Sequence, residues 1–232
     1  MKKTSKKYSS QNAFTLLELV FVIVVIGILA AVVIPNARTN PVQEAAIQLV
    51  NHIRYTQHLA MVDDRYDSGD PKWYMGFWQI RFTTGNNSSE QEIAYVVYSD
   101  TSHTEHPEIS EIAKDPLTGL SIDGGVVNND YGDSDLLPEA NLGKAYGIKG
   151  ISFSSSCSYR SSKRVTFDYL GRPIKGAISS PNSSDTLIKA LRYMTDTCEI
   201  TICSEEECET AADKNKAIIL IESETGYTRL KN

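Results

Sequence analysis

The most apolar stretch of the chain contains one ionisable side chain, the carboxylate of Glu18. It lies in FTLLELVFVIVVIGILAAVVIP, which has no other charge between Phe14 and Pro35. A carboxylate at this depth of an apolar helix costs several kcal/mol unless a cation pairs with it. Glu18 is therefore predicted to act in charge pairing rather than in packing.

A cut after Ala13 would supply such a cation. The new amine of Phe14 would lie four residues before Glu18, at one end of the helix. A neighbouring copy of the chain could supply the amine instead. Burial of Glu18 would then drive subunit association and set the axial register between subunits.

Four cysteines follow this stretch, at positions 157, 198, 203 and 208. An even number in an oxidising compartment predicts two disulfides, for which three pairings exist. We favour Cys203–Cys208 at the tip of the last predicted hairpin and Cys157–Cys198 between two strands. The alternative is a metal site, but the last three cysteines are each five residues apart, unlike the close pairs of zinc sites.

An acidic stretch, DGGVVNNDYGDSDLLPE over 123–139, is rich in oxygen ligands. Asp130, Asp133 and Asp135 are candidate ligands for Ca²⁺, which takes six to eight oxygens. Their spacing is not that of an EF-hand, and a solvated acidic loop is the favoured alternative. Apart from this candidate structural calcium, we expect no cofactor.

The histidines give no catalytic pattern. His103 and His106 lack the helical spacing of a zinc protease, and Pro107 follows them directly, so an exposed loop is predicted. His52 and His58 are predicted to lie on a helix surface. The sequence contains no nucleophile elbow, phosphate-binding glycine loop or dinucleotide fingerprint. We therefore expect no enzyme and name no catalytic residue.

The element that must position Glu18 is the apolar segment itself. Residues 14–34 would form a helix about 31 Å long, enough to cross the core of a bilayer. Four lysines precede it and only Arg38 follows soon after, so the N-terminus is predicted to stay cytoplasmic and residues after about 36 to be exported. Three interpretations remain: a plain membrane anchor, a secretory signal peptide cut near Ala30–Ala31, and a helix for assembly.

The remaining chain predicts an α+β fold. A helix over 42–62 has one apolar stripe that Gln57 interrupts. The stripe contains Val42, Ala46, Leu49, Val50, Ile53, Ala60 and Met61. Aromatic and β-branched runs predict strands within 73–82, 92–99, 150–157, 164–174, 197–203, 216–223 and 226–230. We expect a long N-terminal helix, transmembrane in its first half and amphipathic in its second, packed on a mainly antiparallel sheet.

The charge balance disfavours nucleic acid as a partner, although the sequence leaves it open. The chain has 23 basic and 29 acidic residues, and without the four N-terminal lysines its net charge is −10. Residues 86–141 contain twelve acids and one base, which predicts a surface that repels phosphate. The candidate DNA-binding side chains are Arg229 and Lys231, or the basic group Arg160, Lys163, Arg164 and Arg172.

The segment NAFTLLELVFVIVVIGILAAVVIPN resembles the N-terminus of type IV pilins and type II secretion pseudopilins. Their pattern is a short basic leader, a small residue, Phe, Thr-Leu-x-Glu and an apolar helix that reaches a proline. In that family prepilin peptidase cuts before the Phe and methylates its new amine. The resemblance implies cleavage between Ala13 and Phe14, N-methylation of Phe14, and Glu18 as the registry carboxylate. Ala13 stands where the family usually has glycine.

The C-terminal half is similar to minor pseudopilins and FimT-like minor pilins. VTFDYLGRPI would give their strand and Gly-Arg turn, and CEITIC with KAIILIESETGYTRL their final hairpin. Some members that take up DNA end in Gly-Arg-x-Arg. Here Gly226 and Arg229 match that pattern, and Tyr227 replaces its first arginine.

The resemblance implies a leader over 1–13, a transmembrane and assembly helix over 14–35 and a periplasmic pilin-like domain over 36–232. It implies a minor pilin or pseudopilin of the bacterial inner membrane, extracted into a pilus or pseudopilus with other subunits. Two alternatives stay open: a tip-located subunit that binds DNA or a secreted substrate, and a membrane-anchored periplasmic protein that never assembles. The sequence does not distinguish secretion, twitching, adhesion and DNA uptake.

Overall fold

The chain divides into two compact units, residues 1–40 and 41–232. Among the residues whose structure is described, the first unit contains helix α1 (Leu16–Val33), and the second contains the other helices and the strands. A computed structural model describes residues 15–33, 40–84, 92–104, 106–127, 133–159, 162–176, 178 and 192–231.

Helix α2 (Pro41–Val62) opens the second unit and confirms the predicted amphipathic helix. Proline at its first position is favourable, because the first N–H groups of a helix have no helical acceptor. The buried face contains the predicted stripe except Met61, and it adds three residues outside that stripe, Ala45, His52 and Thr56. Met61 is 49 % exposed, and His52, predicted to lie on the surface, is buried.

The strands form two antiparallel sheets of four strands each, where one sheet was expected. Side by side in the first sheet lie β2 (Ile93–Ser99), β1 (Trp78–Thr84), β4 (Arg164–Phe167) and β5 (Pro173–Lys175). Side by side in the second lie β3 (Gly150–Phe153), β6 (Cys198–Cys203), β7 (Lys216–Ile221) and β8 (Thr228–Leu230). Several strands that follow each other in the chain form antiparallel hairpins, as predicted. The sequence of such hairpins does not determine which of them join into one sheet.

Helix α2 packs on both sheets and joins their inner faces into one core. Leu49 and Ile53 of α2 are fully buried, as are Ile80 of β1 and Ile200 of β6. Burying an aliphatic side chain of this size stabilises the fold by about 1.5–3 kcal/mol. The helix is therefore the shared support of the two sheets.

The segment between β2 and β3 covers the outer edge of β2. It contains three short 3₁₀ turns and the helix α3 (Leu142–Tyr146). Single bridges join Ala94 to Asn141, Val96 to Asp123, and Tyr98 to Ile112. An uncovered edge strand invites pairing with another chain, so this segment closes that edge.

Several acids of this segment hold its backbone instead of facing solvent. Asp100, Glu111, Asp115 and Asp123 are all buried. Glu111 accepts the Ser102 N–H at 2.7 Å, and Asp123 accepts the N–H groups of Gly125 at 3.1 Å and Val126 at 2.7 Å. These carboxylates accept hydrogen bonds from backbone N–H groups of their own loops. The acidic surface expected over 86–141 is therefore smaller than the sequence suggests.

Candidate assembly helix and the joints of the globular unit

Thr15 and Glu18 define the start of α1. The Glu18 N–H donates to Thr15 Oγ1 at 3.2 Å, and the Leu19 N–H donates to the Thr15 carbonyl at 3.2 Å. Thr15 thus caps the helix, and the Glu18 carboxylate lies in its first turn. A negative charge is stabilised there by the helix dipole.

Apolar side chains surround α1 on every side. The large hydrophobic residues from Leu16 to Leu29 are between 37 % and 81 % exposed. A helix that is apolar all round is stable only when other apolar groups cover it. Helix α1 therefore needs lipid or other protein around it.

The predicted transmembrane span and the predicted processing site both include residues near α1. Within the described residues, no helix combines the length and apolar composition that crossing a membrane requires. The transmembrane helix over 14–35 therefore stays a prediction. Ala13 and Phe14, at the predicted cleavage and methylation site, lie outside the described residues.

Gln57 of α2 joins the two sheets. Its Nε2 donates to the Gly171 carbonyl at 2.9 Å, in the β4–β5 turn, and to the Thr225 carbonyl at 2.7 Å, in the β7–β8 turn. Gly171 and Gly226 have φ values of +76° and +66°. A Cβ on Gly226 would overlap the Gly171 carbonyl oxygen. In the sequence, the only sign of this connection between the two sheets was that Gln57 interrupts the predicted apolar stripe.

The β4–β5 turn is held by Asp168, which is fully buried. Its Oδ1 accepts the Arg172 N–H at 2.8 Å, and its Oδ2 accepts from Arg172 Nε at 2.8 Å and from the Tyr193 hydroxyl at 3.0 Å. Burial and the Asp168 charge raise the pKa of Tyr193 to about 12. Arg172 is thus a structural partner of Asp168.

His52 connects α2 to the first sheet and to the covering segment. Its Nδ1 lies 2.6 Å from the Tyr95 hydroxyl and its Nε2 3.2 Å from Gln48 Nε2. Asp115 lies 3.9 Å from Nε2. Burial lowers the pKa of His52, although the charges of Asp115 and Glu139 oppose this. Sequence reasoning missed this cluster, because its members lie far apart in the chain.

The structure contains two disulfides, in the pairing that the sequence analysis favours. Cys157–Cys198 ties the loop after β3 to the start of β6, across 41 positions of sequence. Cys203–Cys208 closes a turn at the end of β6, across five positions. Both lie in the globular unit.

The metal candidates do not form a site in the described residues, where no group of three or more His, Cys, Asp or Glu could hold an ion. Asp135 is exposed, Asp133 lies in the same 3₁₀ turn, and Asp130 lies outside the described residues. His103 Nε2 lies 3.4 Å from Asp70 Oδ2. A structural calcium over 130–135 therefore stays untested.

Several of the basic side chains considered for DNA contact other groups within the fold. Arg229 pairs with Glu222 at 3.2 Å, and Lys231 with Glu199 at 2.9 Å. Arg164 is buried, and Arg160 lies outside the described residues. Two members of the basic group expected near 160–172 are therefore engaged, Arg164 by burial in β4 and Arg172 by its ion pair with Asp168 at 2.7 Å.

No curated protein and no solved structure matches the chain. The similarity of the C-terminal half to FimT-like minor pilins therefore stays a prediction. Residues 8–34 match the family model described as the prokaryotic N-terminal methylation motif. This match is consistent with the type IV pilin and pseudopilin family, whose members are structural rather than enzymatic. It supports cleavage by prepilin peptidase and an N-methylated phenylalanine, which is the processing typical of pilin-like proteins.

Proposed function

We propose that this chain is a structural subunit, a minor pilin or pseudopilin, of a type IV pilus or type II secretion pseudopilus. The observation that carries the proposal is the methylation motif of residues 8–34, placed on a helix whose described apolar side chains are exposed. The subunit waits in the inner membrane with its globular unit in the periplasm. It is then extracted into a filament with other subunits.

In this proposal, neighbouring subunits replace the lipid around α1, so that its apolar surface does not meet water, whose contact would cost about 25 cal/mol per Å². Because lipid is as apolar as the helix, close packing and the pairing of Glu18 favour the filament over the membrane. Methylation keeps the positive charge of an amine. The Phe14 amine of one subunit pairs with Glu18 of the next, and an unpaired Glu18 in an apolar surrounding disfavours any other register.

The test is the intact mass and N-terminal peptide of the protein from its native membranes. We expect a chain that begins at Phe14 and carries one added methyl group. A chain that begins at Met1 would leave an uncut anchor, and one that begins after Ala31 would indicate a secreted protein. Either result would overturn the proposal. An Ala13→Asp variant is the control, since a small residue is required at the cut, and it should stay uncut.

A tip subunit that binds DNA is the weaker alternative, because Arg229 and Lys231 are ion-paired. Contacts to phosphate release counterions and are strongest at low salt. A mobility-shift assay at about 50 mM salt tests this alternative. We expect no shift of double-stranded DNA by the full chain.

A further inference from the structure

The hydrogen bonds of His52 fit a neutral imidazole ring. Its Nε2 lies 3.2 Å from the amide nitrogen of Gln48, which is a donor, so Nε2 is the acceptor. The single ring proton then lies on Nδ1, which donates to the Tyr95 hydroxyl at 2.6 Å. Both ring nitrogens of the neutral form are therefore satisfied.

A second ring proton has no acceptor in this arrangement. On Nε2 it would point at the Gln48 NH₂ group, and Asp115 Oδ1, at 3.9 Å, is beyond hydrogen-bond distance. The other oxygen of Asp115 accepts the N–H of Thr118 at 2.8 Å and its hydroxyl at 2.7 Å, which holds this carboxylate in its own turn. Rotation of the Gln48 amide would supply an acceptor but would leave the charge buried. Protonation of His52 therefore requires a rearrangement around it.

The charge of a protonated His52 would lie in the protein interior, where it is disfavoured. Burial lowers the pKa of His52 by more than the charges of Asp115 and Glu139 raise it. The titratable groups around His52 and Asp115 are Tyr55, Tyr95, Lys114, Asp115, Glu139 and Tyr146. Lys114 is the cation of this set, and its Nζ donates to Ser121 Oγ at 2.8 Å. The charged ring is therefore favoured only where water can reach it.

The covering segment between β2 and β3 is the layer over His52 that is attached most weakly. It meets β2 at isolated bridges, whereas β1 pairs with the other edge of β2 over seven consecutive positions. The Val97 N–H donates to the Ile122 carbonyl at 3.0 Å, and the Ala113 N–H to the Val97 carbonyl at 2.9 Å. The Gly124 N–H donates to the Tyr95 carbonyl at 3.0 Å. Such attachments open at a lower free energy than a continuous ladder.

We propose that His52 is a pH-sensitive switch in the fold, and that protonation of its ring releases the covering segment from the edge of β2. The neutral ring fits the closed arrangement. The charged ring favours an open one, because Asp115 and Glu139 belong to the covering segment and water reaches His52 when that segment moves away. Opening also uncovers backbone N–H and C=O groups of β2. The switch lies within the globular unit and does not depend on the role proposed for α1.

The experiment is amide hydrogen exchange of the full-length chain in detergent, read by mass spectrometry at pH 7.5 and pH 5.5. Labelling times are scaled for the pH dependence of the intrinsic exchange rate. The amides of Val97, Ala113 and Gly124 report on the covering segment. At pH 5.5, one unit below the ordinary histidine pKa of about 6.5, an open state that exposes His52 gains at most about 11-fold. We expect protection at these amides to fall by about five- to tenfold, while β7 amides still exchange at least about tenfold more slowly.

His52→Gln should keep the protection of these amides at pH 5.5, and His58→Gln, on the exposed face of α2, should lose it like the unchanged chain. Glu139→Gln removes an exposed charge that raises the pKa of His52, so its opening should move to lower pH. This surface variant covers the case that His52→Gln fails to fold.

Four results would overturn the proposal. The first is a loss of protection below about twofold in the unchanged chain, and the second is the same loss in His52→Gln. The third is exchange of β7 as fast as that of the covering segment, which would mean that the whole unit opens. The fourth is an opening of Glu139→Gln at the same or a higher pH than that of the unchanged chain.

Discussion

Helix α1 and the globular unit differ in where their apolar side chains lie. The large apolar side chains of α1 from Leu16 to Leu29 are exposed, whereas most apolar residues of α2 and the two sheets belong to one buried core. The first region therefore depends on molecules outside the chain, and the second is stable by its own contacts and two disulfides. This division suits the proposed subunit, whose α1 would move from lipid to protein neighbours while its globular unit stays folded.

The strongest test of this division is Glu18→Leu. We expect cross-linked oligomers of the full chain in membranes to fall more than tenfold, because the paired charge that sets register is gone. The tryptophan-detected unfolding midpoint should stay unchanged. Co-purification of two differently tagged copies gives the same readout without cross-linker.

Glu108→Leu is the matched control for Glu18. Glu108 is an exposed acid of the globular unit, and its replacement removes one charge of the same type. Oligomers should persist in this variant. If both variants lose them equally, net charge rather than the position of Glu18 governs assembly.

The next largest effect is expected from Cys157→Ser with Cys198→Ser. This disulfide closes a long loop across 41 positions, and its removal should destabilise the globular unit by about 4 kcal/mol. Removing Cys203–Cys208, which closes five positions, should cost about 2 kcal/mol. Denaturant unfolding of the full chain measures both, and the reverse order of the two losses would contradict the loop-closure argument.

Gly226→Ala tests the joint between the two sheets. The substitution places a Cβ against the Gly171 carbonyl at a φ of +66°, so we expect a loss of about 3 kcal/mol. Gly125→Ala is the control, because its φ is +90° but nothing lies within 4 Å of the added atom. It should cost about 1 kcal/mol. Equal losses would mean that backbone conformation alone, not contact between the turns, explains the effect.

Local patterns predicted the elements better than their arrangement. Periodicity placed α2 over 42–62, and β-branched runs placed the strands to within a few residues. The division into two sheets was missed, because it depends on β1 pairing with β4, in which Ile80 lies opposite Val165, 85 positions later in the chain. The motif around Glu18 is local and was found from sequence. The hydrogen bonds by which Gln57 connects the two sheets could be seen in the sequence only as an interruption of the apolar stripe of α2.

The smallest effect concerns His52, and it tests whether the globular unit is stable at every pH that it meets. Burial lowers the pKa of His52 in the folded chain, while the unfolded chain has the ordinary value of about 6.5. Between these values the unfolded state binds more protons, so the free energy of unfolding decreases as pH falls below about 6.5. Titration of this one group changes the free energy of unfolding by at most about 1.4 kcal/mol per pH unit.

His52→Gln should flatten that slope, since glutamine keeps a hydrogen-bonding group and does not titrate. His58→Gln, on the exposed face of the same helix, should leave the slope of the unchanged chain. Denaturant unfolding from pH 7.5 to pH 5 measures all three proteins. If His52→Gln is as sensitive to acid as the unchanged chain, protonation elsewhere limits the globular unit. The stability of the globular unit would then depend on packing and disulfides, and the contact of His52 between α2 and the first sheet would not make it sensitive to acid.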